Sequence, residues 1–203
     1  MALEISGIIG LDLSLTSTGI ARWGIKPETP VFHTLIKTDP KMGTQIERCR
    51  FIADQILLYS TKIDLFFIED YAYGIGAKGK GKAQQLVTLG QLGGIVKSRV
   101  LDFTGCEPFP VAIGTWKKFL SNNGNLNKDS FKLEVFKKHK IEARGNDDAA
   151  AIGVLDFARC LLKASSVRKL KKYELALIEK YRKEHIELRI RLQALAKKQA
   201  GRG

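Results

Sequence analysis

Acidic side chains recur where apolar runs end. Asp12 follows Ile8–Leu11, Glu69 and Asp70 follow "DLFFI" (64–68), and Asp147 and Asp148 precede the Ala-rich segment "AAAIGVL" (149–155). Strand interiors disfavour carboxylates, so each needs a reason. Singly, each has an ordinary one. An acid after a strand serves a turn, acids at a helix start complement its dipole, and a strand-end Glu often faces solvent. Jointly they say more. If the runs ending in Asp12 and Glu69 are neighbouring strands, two carboxylates lie side by side at one sheet edge. A helix starting over that edge adds Asp147 and Asp148. Crowded carboxylates repel and are costly to desolvate. A hard divalent cation relieves that cost, and Mg²⁺ takes oxygen ligands of this kind, completed by water and phosphate. Two such ions about 3.5–4 Å apart activate water and stabilise the leaving oxygen in phosphodiester cleavage.

Other chemistries find less support. Cys49, Cys106 and Cys160 are odd in number and far apart, with no CxxC pair to hold zinc, and read as reduced thiols of a cytoplasmic protein. His33, His139 and His185 are scattered, so a histidine-centred site is not expected. "GAKGKGK" (76–82) lacks the P-loop spacing, with Ala83 where Ser or Thr should stand, so no nucleotide cofactor is expected there. No apolar run approaches the roughly 20 residues of a membrane span, and the N-terminus lacks a signal-peptide pattern.

The elements that must position the acids follow from patterning. "GIIGLDLSLTSTGIARWG" (7–24) reads as strand, Ser/Thr/Gly turn, strand. "VFHTLI" (31–36) reads as a third strand, and "GTQIERCRFIADQILLYS" (43–60) has the three-and-four spacing of an amphipathic helix. "DLFFIED" (64–70) reads as a buried strand. "YAYGIGAKGKGKA" (71–83) reads as a Gly-Lys loop. "QQLVTLGQLGGIVKSRVLDF" (84–103) reads as a helix whose Gly90, Gly93 and Gly94 let it lie close to the sheet. "PFPVAIG" (108–114) is a fifth strand, followed by two short helices around "NNGN". "NDDAAAIGVLDFARCLL" (146–162) is a helix with a strong start signal. This order predicts an α/β fold with a mixed sheet.

The 203 residues are 44% hydrophobic, enough for one domain with a core. Net charge is +13, which favours an anionic partner such as nucleic acid. From Lys163 onward there are thirteen basic residues against four acidic ones, so the excess is concentrated in a tail. That tail carries an apolar stripe, Leu170, Tyr173, Leu177, Tyr181, Leu188, Leu192 and Leu195. It reads as a basic amphipathic helix, separable from the core, that contacts DNA or a second subunit. The expected division is residues 1–165 and 166–203.

At these residues the chain resembles the RuvC family of Holliday-junction resolvases, members of the RNase H-like nuclease superfamily. "IIGLDLSLTSTGIA" is similar to the family's first-strand motif, "DLFFIED" to its strand ending in Ile-Glu, and "LGQLGGIV" to the helix after it. "WKKFL" with Lys117 and Lys128, eleven residues apart, resembles its two-lysine segment, and "DDAAAIGV" its closing helix. The resemblance spans about residues 5–162 and implies an RNase H-like five-stranded mixed sheet flanked by helices; the expected C-terminal helical extension, after about Val167, has no counterpart in the short bacterial core.

It also implies roles. Asp12 is the central ligand of Mg²⁺ (Mn²⁺ substituting), bridging two ions per site. Glu69 is the second ligand and Asp148 the aspartate before the Ala-rich helix. Lys117 and Lys128 lie near the scissile phosphate or the DNA backbone. Where the family carries Asp or His three residues before its last aspartate, this chain has Gly145, leaving Asp147 as substitute, although adjacent helical residues point about 100° apart. An aromatic near Tyr71 or Tyr73 stacks on junction bases in the related enzymes; the alternative is that both pack under the loop. Lys78, Lys80, Lys82, Lys118 and Lys132 join Lys117 and Lys128 as expected phosphate contacts.

The resulting expectation is a Mg²⁺-dependent endonuclease. It resolves four-way DNA junctions by paired symmetric cuts, acts as a homodimer without membrane or nucleotide cofactor, and belongs to a bacterial cell or a phage. The alternatives are a broader fork or flap endonuclease, a non-catalytic junction binder, and an actin- or sugar-kinase-like ATPase that shares the core.

Overall fold

The computed structural model describes residues 5–24, 30–70, 80–162 and 169–184, with backbone alone at 80–82 and 128–129. The run that delivers Asp12 is the central strand. β1 (Gly7–Asp12) pairs antiparallel with β2 (Ser17–Gly24) and parallel with β4 (Leu65–Asp70). β3 (Phe32–Lys37) lies outside β2 and β5 (Phe109–Ala112) outside β4, giving the order β3-β2-β1-β4-β5. Helices cover both faces, so β1 and β4 have no solvent side and read as unbroken apolar runs.

On one face Ile9, Leu11, Ile20, Phe66 and Ile68 pack against α1 (Gln45–Leu58) and α2 (Lys80–Thr104) through Cys49, Ile52, Ile56, Leu92 and Val96. On the other, Ile8, Ala21, Trp23, Leu65, Phe67 and Val111 pack against α3 (Ile113–Ser121), α4 (Lys128–His139), α5 (Asn146–Leu161) and α6 (Lys172–Glu184). α1 begins at a capping box in which Thr44 and Glu47 satisfy each other's backbone N–H. Among the described residues no helix is long and apolar enough to cross a membrane.

α5 is the helix that approaches the sheet most intimately, and glycine is the reason. A Cβ on Gly10 would stand 2.4 Å from the Ala151 carbonyl oxygen, and one on Gly19 2.0 Å from that of Asp147. Any other residue would lift α5 off β1 and β2. The close approach expected for α2 is not found there: a Cβ on Gly93 or Gly94 meets nothing within 4 Å. α2 also begins at Lys80, so the end of the expected Gly-Lys loop is helical.

The Ser/Thr turn after Asp12 is tied down. Thr18 Oγ1 donates to the Ser14 carbonyl (2.7 Å) and accepts from its N–H (3.1 Å). The buried Arg48 of α1 donates to the Leu15 carbonyl (3.2 Å) and to Thr38 Oγ1 (3.0 Å). Part of the expected tail is built into the core. α6 buries Glu174, Ile178 and Tyr181. Lys138 of α4 lies 3.0 Å from both Glu174 and Asp156. The Tyr181 hydroxyl donates to the Pro110 carbonyl, and its ring stands edge-on to Phe157. Burial, with Asp70 nearby, raises the Tyr181 pKa and keeps it a donor. The remainder of the stripe, Leu188, Leu192 and Leu195, lies outside the described residues.

At the opposite end of the sheet from Asp12, buried Asp64 accepts from Arg22 Nε (2.9 Å), Thr61 N–H (2.9 Å) and Ser6, tying β2 to the start of β4. Burial, the largest influence, raises its pKa; the hydrogen bonds from Arg22, Ser6 and Thr61, with the Arg22 charge, outweigh it and hold the carboxyl below the ordinary 3.8. The contribution to stability is therefore complete above 3.8 and lost as pH falls through the lower folded-state value. Asp64→Asn is expected to lose about 1–3 kcal/mol at neutral pH. Denaturant titrations of both proteins at descending pH should show that gap closing once Asp64 is protonated.

Candidate functional site

Strand register brings Asp12 and Glu69 together. Asp12 pairs with Gly19 across β1 and β2, and Leu11 pairs with Ile68 across β1 and β4, so one further step sets Asp12 beside Glu69. Side chains alternate along a strand. Asp12 therefore shares a face with Ile8 and Gly10, and Glu69 with Leu65 and Phe67, which is the α5 side. Gly19 stands opposite Asp12 and lies directly against the Asp147 carbonyl. The N-terminus of α5 is thus seated over this pair, with its partial positive charge near the carboxylates.

Each acid is held differently. Asp12 is half-buried at the mouth of the tied turn. Glu69, 7% exposed, accepts from Trp116 Nε1 at 2.8 Å. That indole is itself buried. A Cβ at Gly153 of α5 would stand 2.6 Å from it, and Phe131 of α4 meets it edge-on at 5.5 Å. Lys117, the next residue, carries its ammonium 5.4 Å from the Phe131 ring centre and 5.7 Å from that of Trp116, a cation–π arrangement. Lys117 stands out in the sequence beside Lys128, whereas no local pattern announces the bond of Trp116 to Glu69.

Asp148 is wholly buried. Its Oδ2 accepts from the Arg144 N–H (2.7 Å) and meets His33 Nδ1 at 2.9 Å; its Oδ1 is buried with no hydrogen-bond partner. Asp147, one residue earlier, stays half-buried, as the helical turn of about 100° between neighbours requires. Gly145 occupies the cap position in extended conformation and supplies no side-chain cap, so the start signal assigned to Asn146–Asp148 works from inside the helix. Histidine, discounted from the scattered positions, does enter the site. His33 stands opposite Ala21 on β2, and the β2–β3 pairing carries it to a carboxylate 115 residues away.

The remaining expected residues are dispersed. Lys118 is exposed on α3 and Lys132 half-buried on α4. Lys128 opens α4 behind the Asn127 cap, and Lys80 and Lys82 lie in the first turn of α2; the side chains of these three are outside the described residues, as are Tyr71, Tyr73 and Lys78. Among the described residues no three His, Cys, Asp or Glu side chains are grouped closely enough to hold one metal ion. The site offers hard carboxylate donors at one sheet edge and a buried Asp148 oxygen without a partner, a donor set that suits a divalent cation in kind.

No family model matches the chain, and no curated protein does. Solved structures do. Thermus thermophilus RuvC matches with a TM-score of 0.56 at 17% identity, over 76% of this chain and 96% of RuvC. T. thermophilus RuvC in complex with Holliday junction substrate matches with a TM-score of 0.58 at 17% identity, over 74% of this chain and 90% of that one. With five strands in mixed order, helices on both faces and this match, the chain has the RNase H-like α/β fold of RuvC.

Proposed function

We propose that this protein is a metal-dependent, structure-specific endonuclease that resolves four-way DNA junctions by paired, symmetric phosphodiester hydrolysis. One observation carries the reading. Asp12 and Glu69 stand side by side at one sheet edge, and the helix that begins over that edge carries Asp148, whose Oδ1 is buried and unpartnered, in a fold shared with a RuvC captured on a Holliday junction substrate. Asp12, Glu69 and Asp148 would hold Mg²⁺ or Mn²⁺, with Asp147 at the rim. Bound there, two ions supply an activated water and charge relief at the leaving oxygen. For these carboxylates to share an ion, Asp12 and Glu69 must turn toward Asp148, since no such grouping of three stands among the described residues.

The rest of the chain serves substrate. In this reading Lys117, held over the Trp116 and Phe131 rings, meets a phosphate near the carboxylates, and Lys128 and Lys132 add contacts to the DNA backbone. Tyr71 or Tyr73 stacks on bases exposed at the branch, and Lys78, Lys80, Lys82 and Lys118 add phosphate contacts. The net charge of +13, concentrated from residue 166 onward in a stretch whose α6 packs on the core, strengthens binding to the crowded phosphates of a junction. Cutting two strands symmetrically takes two sites, hence a homodimer. The absence of an Asp or His at Gly145 favours a second reading, a junction binder without chemistry.

Cleavage of an immobile four-way junction, beside linear duplex and a fork, separates these. With Mg²⁺ the wild type is expected to place paired nicks in the junction alone, and EDTA to abolish them. Asp12→Asn should bind the junction but nick it more than about 100-fold more slowly, beyond the 10–100-fold that loss of a group behind a ligand costs. Equal cutting of fork and junction would mean a general branched-DNA nuclease, and tight binding without nicking the second reading. Trp116→Phe keeps an aromatic ring, smaller than the indole, and removes the donor to Glu69. It is expected to raise the Mg²⁺ concentration needed for half-maximal nicking by about tenfold while leaving junction affinity in EDTA unchanged.

A further inference from the structure

We infer that His33 is a positioning residue of the carboxylate site, fixing Asp148 through Nδ1 so that Oδ1 is the oxygen presented to a divalent cation. The inference rests on the metal-site reading above and goes beyond it, since nothing in the sequence motifs assigns His33 a role.

The two oxygens of Asp148 are treated unequally. Oδ2 meets two donors, the Arg144 N–H at 2.7 Å and His33 Nδ1 at 2.9 Å, which fill its two acceptor positions. Oδ1 is buried with none. A buried carboxylate oxygen left without a partner is costly, so rotation of the carboxyl group would normally share the donors between both oxygens. Two donors from different directions, one a helix-entry backbone and one an edge strand, oppose that rotation. As a helix-capping acid Asp148 needs only the Arg144 N–H; His33 is additional.

The contact is built in along β3. Its successive residues His33, Thr34 and Leu35 all engage the chain entering α5. His33 meets Asp148, Thr34 Oγ1 accepts from Arg144 Nη1 at 3.1 Å, and Leu35 lies where a Cβ on Gly145 would touch it at 3.4 Å. With Nδ1 turned to Asp148, the ring is fixed in orientation. Its side chain is only 18% exposed. A ligand held by a fixed donor behind it is the usual means by which a protein orients a metal-binding group.

The test is Mn²⁺ binding by titration calorimetry, without DNA, on wild type, Asp12→Asn, His33→Ala, His33→Gln and His33→Asn, each checked by thermal melt and by junction binding in EDTA. Asn carries an N–H near the position of Nδ1, whereas Gln sets it one carbon further out. His33→Ala and His33→Gln are expected to bind Mn²⁺ 10–100-fold more weakly, and His33→Asn to stay within about threefold of wild type, with junction affinity in EDTA unchanged throughout. Wild-type Mn²⁺ affinity in a folded His33→Gln or His33→Ala protein overturns the inference alone, as does a His33→Asn protein no better than His33→Ala. A wild type that binds no Mn²⁺, or an Asp12→Asn protein that binds it equally well, overturns the metal-site reading and the inference with it.

Discussion

The contact on which the rest of the molecule depends is the bare-backbone seating of α5 on β1 and β2. Gly10 and Gly19 present no side chain where the Ala151 and Asp147 carbonyls come down, so helix and sheet meet closer than packed side chains permit. Interiors are close-packed and transmit displacement. A helix lifted by one methyl would carry Asp148 away from His33 and Gly153 away from the Trp116 ring that donates to Glu69. Two absent methyl groups thereby set how closely α5 carries Asp148 over the Asp12–Glu69 pair that strand register brings together.

The electrostatics follow from that seating. Glu69 and Asp148 are both buried, and each burial is offset by a donor from an element that carries no acid of the site: Trp116 from α3 for one, His33 from β3 and the Arg144 backbone for the other. Donors at a carboxylate oxygen lower the cost of burying the charge, and at Asp148 both lie on Oδ2, so that Oδ1 is left without a partner. The α5 N-terminus adds a fixed positive potential that no change of protonation removes. Asp64, at the far end of the sheet, shows the contrasting arrangement, with donors on both oxygens and nothing left over for a ligand.

Much of this was legible in the chain itself. Unbroken apolar runs marked β1 and β4 because both are covered on two faces, and acids ending those runs marked the edge where they meet. The rest depended on pairings that local pattern does not carry. His33 reaches Asp148 only through the β2–β3 register, and Trp116 reaches Glu69 only because Gly153 makes room for the indole. Glycines were read for close approach in α2, where Gly93 and Gly94 face open space, rather than in β1 and β2, where strand glycines look like ordinary weak points. In α6 the buried set includes Glu174, which a hydropathy stripe cannot mark as interior because its burial depends on Lys138 from α4.

The placing of Tyr181 bears on how the chain is made. β5 is the outermost strand on its side of the sheet, and an outermost strand exposes backbone groups that invite a foreign strand. Pro110 has no N–H to offer such a visitor, and its carbonyl is taken by the Tyr181 hydroxyl. The proline is present as soon as β5 leaves the ribosome, whereas the tyrosine arrives some seventy residues later. For the interval of synthesis between them, this border of the sheet is guarded only by an imino acid. The helix that completes the guard also brings Glu174 to Lys138, which Asp156 of α5 already pairs, so shielding the border and burying the Glu174 carboxylate happen in one docking event.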